Sequence, residues 1–453
     1  MKAKAAALAA FGSVVVVVVA WLAWPHPAEW TTKSPEALRE FEAGLEARGR
    51  IYAEEARSHF EKALVLDSSF AAPLLFLAEG SPVGKDEKFK HIEAGLRRLD
   101  PRKLNQREQF LLRLQLARST RDSESTVKVI EEFAAARPDD PFSLDLKGKL
   151  AVTRQDWTEA EAIFRRLSQV APNWVDAYNQ LGYLAMSQGR FADSERMFQT
   201  YLFVADKQAN PHDSLGELLT LIGRYREARE QFEKAIEIRP DFCPSYQHLF
   251  VIASLSGELG ELDRLVARVR QANVCGPKGA IEAECEATQI RAFFAGDWDR
   301  VWTSGDGPCR GTQTERSMMR FHAALRTGRT PAADAFESEW HRATDNASKV
   351  SAGYPLIQAT FAHFDGTRAL YAGRFGEAVT RLRAADANLS YRGADYGVFK
   401  LFNRYALTTA LEHSGDAAAA RGLRAEIDAV NPALLPAVAR ILDVVPTAPP
   451  AGH

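Results

Sequence analysis

His212, Asp213 and Ser214 stand side by side in Asn210-Pro211-His212-Asp213-Ser214-Leu215-Gly216-Glu217, and these are the side chains of nucleophilic hydrolysis. Their spacing argues against that chemistry. Consecutive residues of a helix point in different directions, so the three cannot converge on one substrate atom. The stretch reads better as a helix start, with Asn210 as N-cap, Pro211 in the first helical position and Asp213 as capping-box partner. His212 then takes the inward-facing place that Tyr178 and Tyr246 hold 34 residues to either side. His363 and Asp365, just before Gly366, read as a solvated helix end, and Glu131-Glu132 and Asp139-Asp140 as helix faces and caps. None of the ten histidines lies in a His-Glu-x-x-His pattern or pairs with a cysteine at metal-ligand spacing. The expectation is therefore no enzyme, no catalytic residue, no metal and no cofactor.

Cys243, Cys275, Cys285 and Cys309 are clustered, which suits one or two disulfides in an oxidising compartment. Three pairings are open. Cys275 and Cys285 flank a Gly276-Pro277 turn and make the first choice of bridge. Zinc is the alternative, but no close cysteine pair of the usual kind is present, and buried thiols are a third reading.

The elements that carry these residues repeat. Small residues recur every 34 positions at Gly148, Gly182 and Gly216, and turn glycines at Gly189, Gly223 and Gly257. An aromatic follows at Trp157, Phe191 and Tyr225. Apolar residues sit at Ile130, Phe164, Phe198, Phe232 and Val266, and prolines close units at Pro138, Pro172 and Pro240. Ala160, Ser194 and Ala228 supply a second small position. The small residues let paired helices cross closely, the turn glycine ends the first helix, and the proline stops the second.

The period and pattern resemble the tetratricopeptide repeat, a helix–turn–helix unit that stacks into a solenoid. That resemblance implies an all-α, right-handed superhelical α-solenoid of about ten hairpins. The register gives units at 107–140, 141–174, 175–208, 209–242 and 243–276, with an earlier one at 37–70 and a degenerate hairpin at 71–106. Later units fall at 359–392 and 401–434. Leu104-Asn-Gln-Arg-Glu, Arg137-Pro-Asp-Asp-Pro, Leu181-Gly-Tyr, Gly189-Arg-Phe, Asn210-Pro-His-Asp and Phe60-Glu-Lys-Ala-Leu resemble the repeat regions of bacterial membrane-bound winged-helix regulators and serine/threonine kinases. Only Met1–Lys4 precede the apolar run here, so their DNA-binding and kinase activities do not carry over; a sensing or docking half is implied.

Lys2 and Lys4 precede an uncharged run from Ala5 to Trp24, long enough as a helix to cross a hydrocarbon core of about 30 Å. Trp21, Trp24 and Trp30 suit an interfacial belt, and Pro25 and Pro27 end the helix. An uncleaved anchor in a bacterial inner membrane is expected, single-pass, with the bulk of the chain periplasmic. Cleavage near Val18-Val19-Ala20 and secretion to the periplasm is the alternative. The organisation expected is an anchor at 1–24, a linker at 25–36 and a regular solenoid at 37–276. Divergent hairpins follow at 277–358, repeat-like hairpins at 359–445 and a disordered tail at 446–453.

A net charge of −2 without a concentrated basic face argues against nucleic acid. Protein partners, membrane-associated or periplasmic, are expected in the groove lined by the first helices of the units. The lining residues named by the register are Asp145, Lys149, Asp176, Asn179, Tyr183, Met186, Asp213, Glu217 and Gln247. On that reading Tyr183→Ala with Glu217→Lys abolishes capture and leaves melting unchanged, whereas Gly216→Val unfolds the stack locally. A sensory domain binding a small ligand at 277–358 is the alternative function.

Overall fold

The structure, a computed structural model, describes residues 30–79, 87–120, 122–312, 317–344 and 354–434. The expected anchor and disordered tail lie outside these. The described residues are helices, turns and loops without a strand, and no helix among them is long and apolar enough to cross a membrane. The chain divides into two compact units: one runs to Val129 apart from Gly49–Ile51, and the other holds those three residues and everything from Ile130 onward.

The first unit contains α1 (Pro35–Gly49), α2 (Ala53–Leu66), α3 (Ala71–Glu79), α4 (Glu87–Arg98), a short 3-10 turn (Pro101–Lys103) and α5 (Gln106–Ser119). The cut between units falls inside α6 (Ser123–Ala136). The second unit continues with α7 (Pro141–Thr153) and α8 (Trp157–Val170), α9 (Asp176–Ser187) and α10 (Phe191–Val204), α11 (Ala209–Leu221) and α12 (Tyr225–Ile238), and α13 (Cys243–Ser256) and α14 (Glu261–Ala272). Then come α15 (Gly279–Ala295), α16 (Trp298–Thr303), α17 (Met318–Arg326) and α18 (Thr330–Thr344). It ends with α19 (Tyr354–Tyr371), α20 (Phe375–Asn388), α21 (Ala394–His413) and α22 (Ala417–Val430).

One steric device recurs in five of these hairpins. A Cβ placed on Gly216 would lie 2.5 Å from Phe232 Cε1, on Gly182 2.4 Å from Phe198 Cε1, and on Gly148 2.7 Å from Phe164 Cζ. Gly44 meets Phe60 in the same way in the first unit, and Gly366 meets Leu382 in α19 and α20. Each glycine faces the residue sixteen positions later, so one helix turns its bare backbone to a large side chain of the next. The turn between them uses a left-handed residue, with φ of 73° at Gly189 and 79° at Gly223, where a side chain would be strained.

The later hairpins do not simply extend the row. They pack back against the earlier ones, and a single apolar core runs from Met186 and Phe198 through Leu221 and Phe250 to Leu401, Tyr405 and Leu434. Gly397 of α21 lets the helix approach until a Cβ there would be 2.6 Å from Leu221 Cδ1. Asn431 donates to the Thr220 carbonyl (3.4 Å), and Tyr391 stacks edge-on against Phe191, with ring centroids 5.4 Å apart.

The cysteines pair as Cys243–Cys275 and Cys285–Cys309, which corrects the expected Cys275–Cys285 bridge. Cys275 has a left-handed φ of 66° just past α14, which turns it back toward the start of α13; Cys285 lies in α15 and joins the short turn Gly307–Cys309. One bridge thus closes the α13–α14 hairpin just before the irregular region, and the other ties the turn at Gly307–Cys309 back onto α15 within it.

His363 corrects a second expectation. It is fully buried inside α19, not at a solvated end, and Asp365 faces Arg381 at 3.7 Å. Asn403 spends its amide on the Leu382 carbonyl (3.0 Å), so its oxygen accepts from His363 Nδ1 (3.0 Å). His363 Nε2 is left as an acceptor, 3.4 Å from His322 Nε2 and 3.3 Å from the Thr367 hydroxyl. Burial pushes both rings down, His322 well below its usual value and His363 to about 4. An unfolded histidine titrates near 6.5, so the neutral pair contributes stability above about pH 6.5 that is lost as pH falls toward 4. His322→Phe with His363→Leu should therefore melt at a temperature closer to wild type at pH 4.5 than at pH 7.5, with His363 alone accounting for on the order of 3 kcal/mol. Scanning calorimetry at the two values checks this; a constant gap contradicts it.

Candidate functional site

The residues expected to line an open groove divide into three groups. Asp145, Lys149 and Asp176 form one: Lys149 bridges the buried Asp145 carboxylate (2.8 Å) and Asp176 (3.1 Å), its own side chain 41% exposed. Asn179, Tyr183, Asp213 and Glu217 form another. Met186 is buried in the apolar core and Gln247 is exposed on α13, so neither joins a polar site.

The second group is a buried hydrogen-bonded cluster made by α9, α11, α13 and the chain entering α21. Asp213 Oδ1 accepts from the Ser245 hydroxyl at 2.7 Å and from His248 Nδ1 at 3.0 Å. The Tyr183 hydroxyl donates to Glu217, and Ser214 donates to Asn179 at 3.0 Å. The other Glu217 oxygen accepts the Ala394 backbone amide at 2.8 Å. Next to it Arg392 donates to Gln180 (2.7 Å), its guanidinium 5.4 Å from the centre of the Tyr183 ring. Gly393 has a φ of 82°, and a Cβ there would lie 2.9 Å from Glu217 Oε2.

This corrects the expectation of a vacant groove at Tyr183 and Glu217: the segment Tyr391–Ala394 of the same chain occupies it. The capping expectation at Asn210 is also corrected. Helix α11 starts at Ala209, Asn210 donates to the Tyr201 hydroxyl (3.0 Å), and Asp213 serves the cluster. His212 faces α12, its Nδ1 at 2.8 Å from Gln231 Oε1.

The electrostatics follow from burial and sign. Burial opposes a charge on His248, but the Asp213 and Glu217 carboxylates outweigh it and lift the imidazole to about 10. Burial also raises Glu217, and burial with the Glu217 charge pushes the Tyr183 phenol well above its usual range, keeping it a donor. The charged His248 thus holds two acidic side chains that would otherwise repel. Nearby Glu286 is pushed up to about 8 by burial and by Asp395 and Glu282.

Asp213, Glu217 and His248 also present ligand atoms within 4.8 Å of one another, the spacing a metal needs. Their hydrogen bonds fit an ion-paired cluster better. Asp213 and Glu217 are already served by Ser245, His248, Tyr183 and Ala394, and the imidazolium supplies the compensating charge. Because the folded pKa of His248 lies above the unfolded value of about 6.5, its contribution is complete below that value and is lost as pH rises through about 10. His248→Gln should cost a few kcal/mol at pH 7, progressively less as pH rises, and little above pH 10. Urea unfolding at pH 7 and 10.5 checks it.

Sequence reasoning named Tyr183, Asp213 and Glu217 but missed His248, Tyr391 and Arg392. The glycine in Arg392-Gly393-Ala394-Asp395 signals a break before a helix, but nothing local tells that the break lands on Glu217.

Helical hairpins with a glycine-to-aromatic spacing of sixteen surround this cluster, and residues 212–242 match the family model of the tetratricopeptide repeat. The chain contains tetratricopeptide repeats. No curated protein matches it. Among solved structures it is similar to the anaphase-promoting-complex hetero-tetramer Cut9–Hcn1, at 13% identity over 90% of this chain and 76% of that one, with a TM-score of 0.45. It is also similar to a human IFIT1 dimer with PPP-AAAA, at 12% identity over 88% and 91%, TM-score 0.37. Yeast Tom70 matches at 12% identity over 90% and 96%, TM-score 0.28.

Proposed function

We propose that this chain is a membrane-anchored scaffold that binds protein partners on the concave side of its tetratricopeptide repeats. The observation that carries the reading is the stack of repeats around 212–242, because such hairpins form extended protein-binding surfaces. The apolar run at 5–24 supports an anchor in a bacterial inner membrane. Four cysteines joined in two bridges support an oxidising location, as the periplasm provides. An anchor raises the effective concentration of membrane-bound partners at the repeats.

The filled part of the groove directs the partner toward its open end. Lys149, with Asp145 and Asp176 beside it, presents charge of both signs near the half-buried Val152. A partner segment that reaches farther, to Tyr183 and Glu217, must displace Tyr391–Ala394. A photo-crosslinking residue in place of Lys149, in the full-length chain in cells, should give one or two dominant protein adducts. The same probe at exposed Gln199 on α10 should give none of them. Identical adduct patterns at both positions, or none at 149, would contradict the proposal.

A further inference from the structure

The first unit carries a basic rim where the chain enters it. Trp30 is buried between Phe41 and Phe76, with ring centroids 4.9 and 6.0 Å away, and the Arg107 guanidinium lies 5.1 Å from its centre. Thr31 is clamped to the buried Glu108 carboxylate by its amide (2.9 Å) and its hydroxyl (2.6 Å), and the Asn105 amide donates to the same carboxylate (3.1 Å). The start of this unit is therefore fixed to its core, not hung from it.

Lys33 follows Thr31 by two residues, and Lys103, at the end of the 3-10 turn, precedes Asn105 by two. Arg98 and Arg102 flank Lys103. Asp100 holds Arg102 and Glu93 holds Arg97, whereas Lys33, Arg98 and Lys103 are exposed and enter none of the ion pairs among the described residues. The clamp carboxylates keep their charge but turn onto uncharged donors, Glu108 onto Thr31 and Asn105 and Asp67 onto Thr32 (2.7 Å) and Ser69. With Glu93 and Asp100 they make four acidic groups against six basic ones, Lys33, Arg97, Arg98, Arg102, Lys103 and Arg107, so the surplus at this rim is positive.

The second observation is a length. The apolar run ends at Trp24, and the six residues from there to Trp30 reach at most about 20 Å even when extended. With the run in a bilayer, the rim cannot leave the headgroup region by more than that distance. Attraction between basic side chains and anionic headgroups acts within about a Debye length, roughly 8–10 Å, so much of the permitted range lies inside its reach.

We infer that Lys33, Arg98 and Lys103 form a contact surface for acidic lipid headgroups, which seats the first unit on the membrane. The inference rests on the anchored reading above. Its test uses the full-length chain reconstituted in two kinds of vesicle, phosphatidylcholine alone and phosphatidylcholine with about a third phosphatidylglycerol. Flotation on both vesicle types reports the anchor. Acylation of lysines by a water-soluble reagent, read by mass spectrometry, reports the rim. Lys33 and Lys103 should react about threefold or more slowly on the anionic vesicles, and high salt should restore their rates. The protection should weaken at Lys103 in Arg98→Glu. Flotation on both vesicles with equal lysine rates overturns the lipid surface and spares the anchor. Failure to float on either overturns both.

Discussion

Glu217→Lys should unfold the second unit at a markedly lower temperature, although sequence alone would place the change on a partner-binding surface. The carboxylate is only 14% exposed and sits between the Tyr183 hydroxyl, the Ala394 amide and the His248 imidazolium. A lysine there sets an ammonium against His248 and beside Arg392, and removes the acceptor from two donors. Breaking a buried pair of this kind costs about 3–5 kcal/mol, on the order of 10 °C in melting temperature. Adding Tyr183→Ala removes a ring packed edge-on against Phe198, centroids 5.1 Å apart, and should deepen the loss. The double variant therefore loses stability as well as any partner. Differential scanning calorimetry with wild type at pH 7 checks it, and unchanged melting would mean that the cluster is not formed.

Gly216→Ala should destabilise, the reverse of what the same change does in an exposed helix. Alanine is favoured over glycine by about 0.8–1 kcal/mol in helix interiors. Here its Cβ would lie 2.5 Å from Phe232 Cε1 and 2.7 Å from Cζ, and Phe232 is fully buried. Overpacking of this kind costs about 1–3 kcal/mol, and Gly216→Val should cost more. Gly422 is the control: it lies in α22 with nothing within 4 Å of its Cβ position, so Gly422→Ala should stabilise by about 0.5–1 kcal/mol. Combining Gly216→Ala with Phe232→Leu should recover part of the loss, because the smaller side chain yields the space. Additive losses in that double-mutant cycle would show that the two residues do not touch.

The parts legible in the sequence were those set within one hairpin. The left-handed turn at Gly223, the small residue at Gly216 and the buried Phe232 lie within a few turns of one another, so a fixed spacing records them. Cys275 illustrates the limit. The Gly276-Pro277 turn beside it suggested Cys285, whereas the left-handed backbone at Cys275 directs it to Cys243. The candidate site was half legible. Tyr183, Asp213 and Glu217 follow from repeat register, but their partners at Arg392 and Ala394 are more than 170 residues away along the chain. His363 was misjudged for the same reason: its neighbours His322 and Asn403 are about 40 residues away on either side, and no local pattern announces them.

Exchange of the Ala394 amide measures most directly whether Tyr391–Ala394 is docked in the groove. Amides in the first turn of a helix lack an acceptor within it and ordinarily exchange quickly. Ala394 begins α21, and its amide donates across the groove to Glu217. Hydrogen–deuterium exchange of a peptide spanning 390–397 should therefore show Ala394 slowed by about a hundredfold or more, on the scale of local opening in a packed unit. Glu217→Ala should abolish that protection before it affects α20. Unprotected exchange at Ala394 in the native chain would contradict the account, since the groove at Tyr183 and Glu217 would then stand open to a partner.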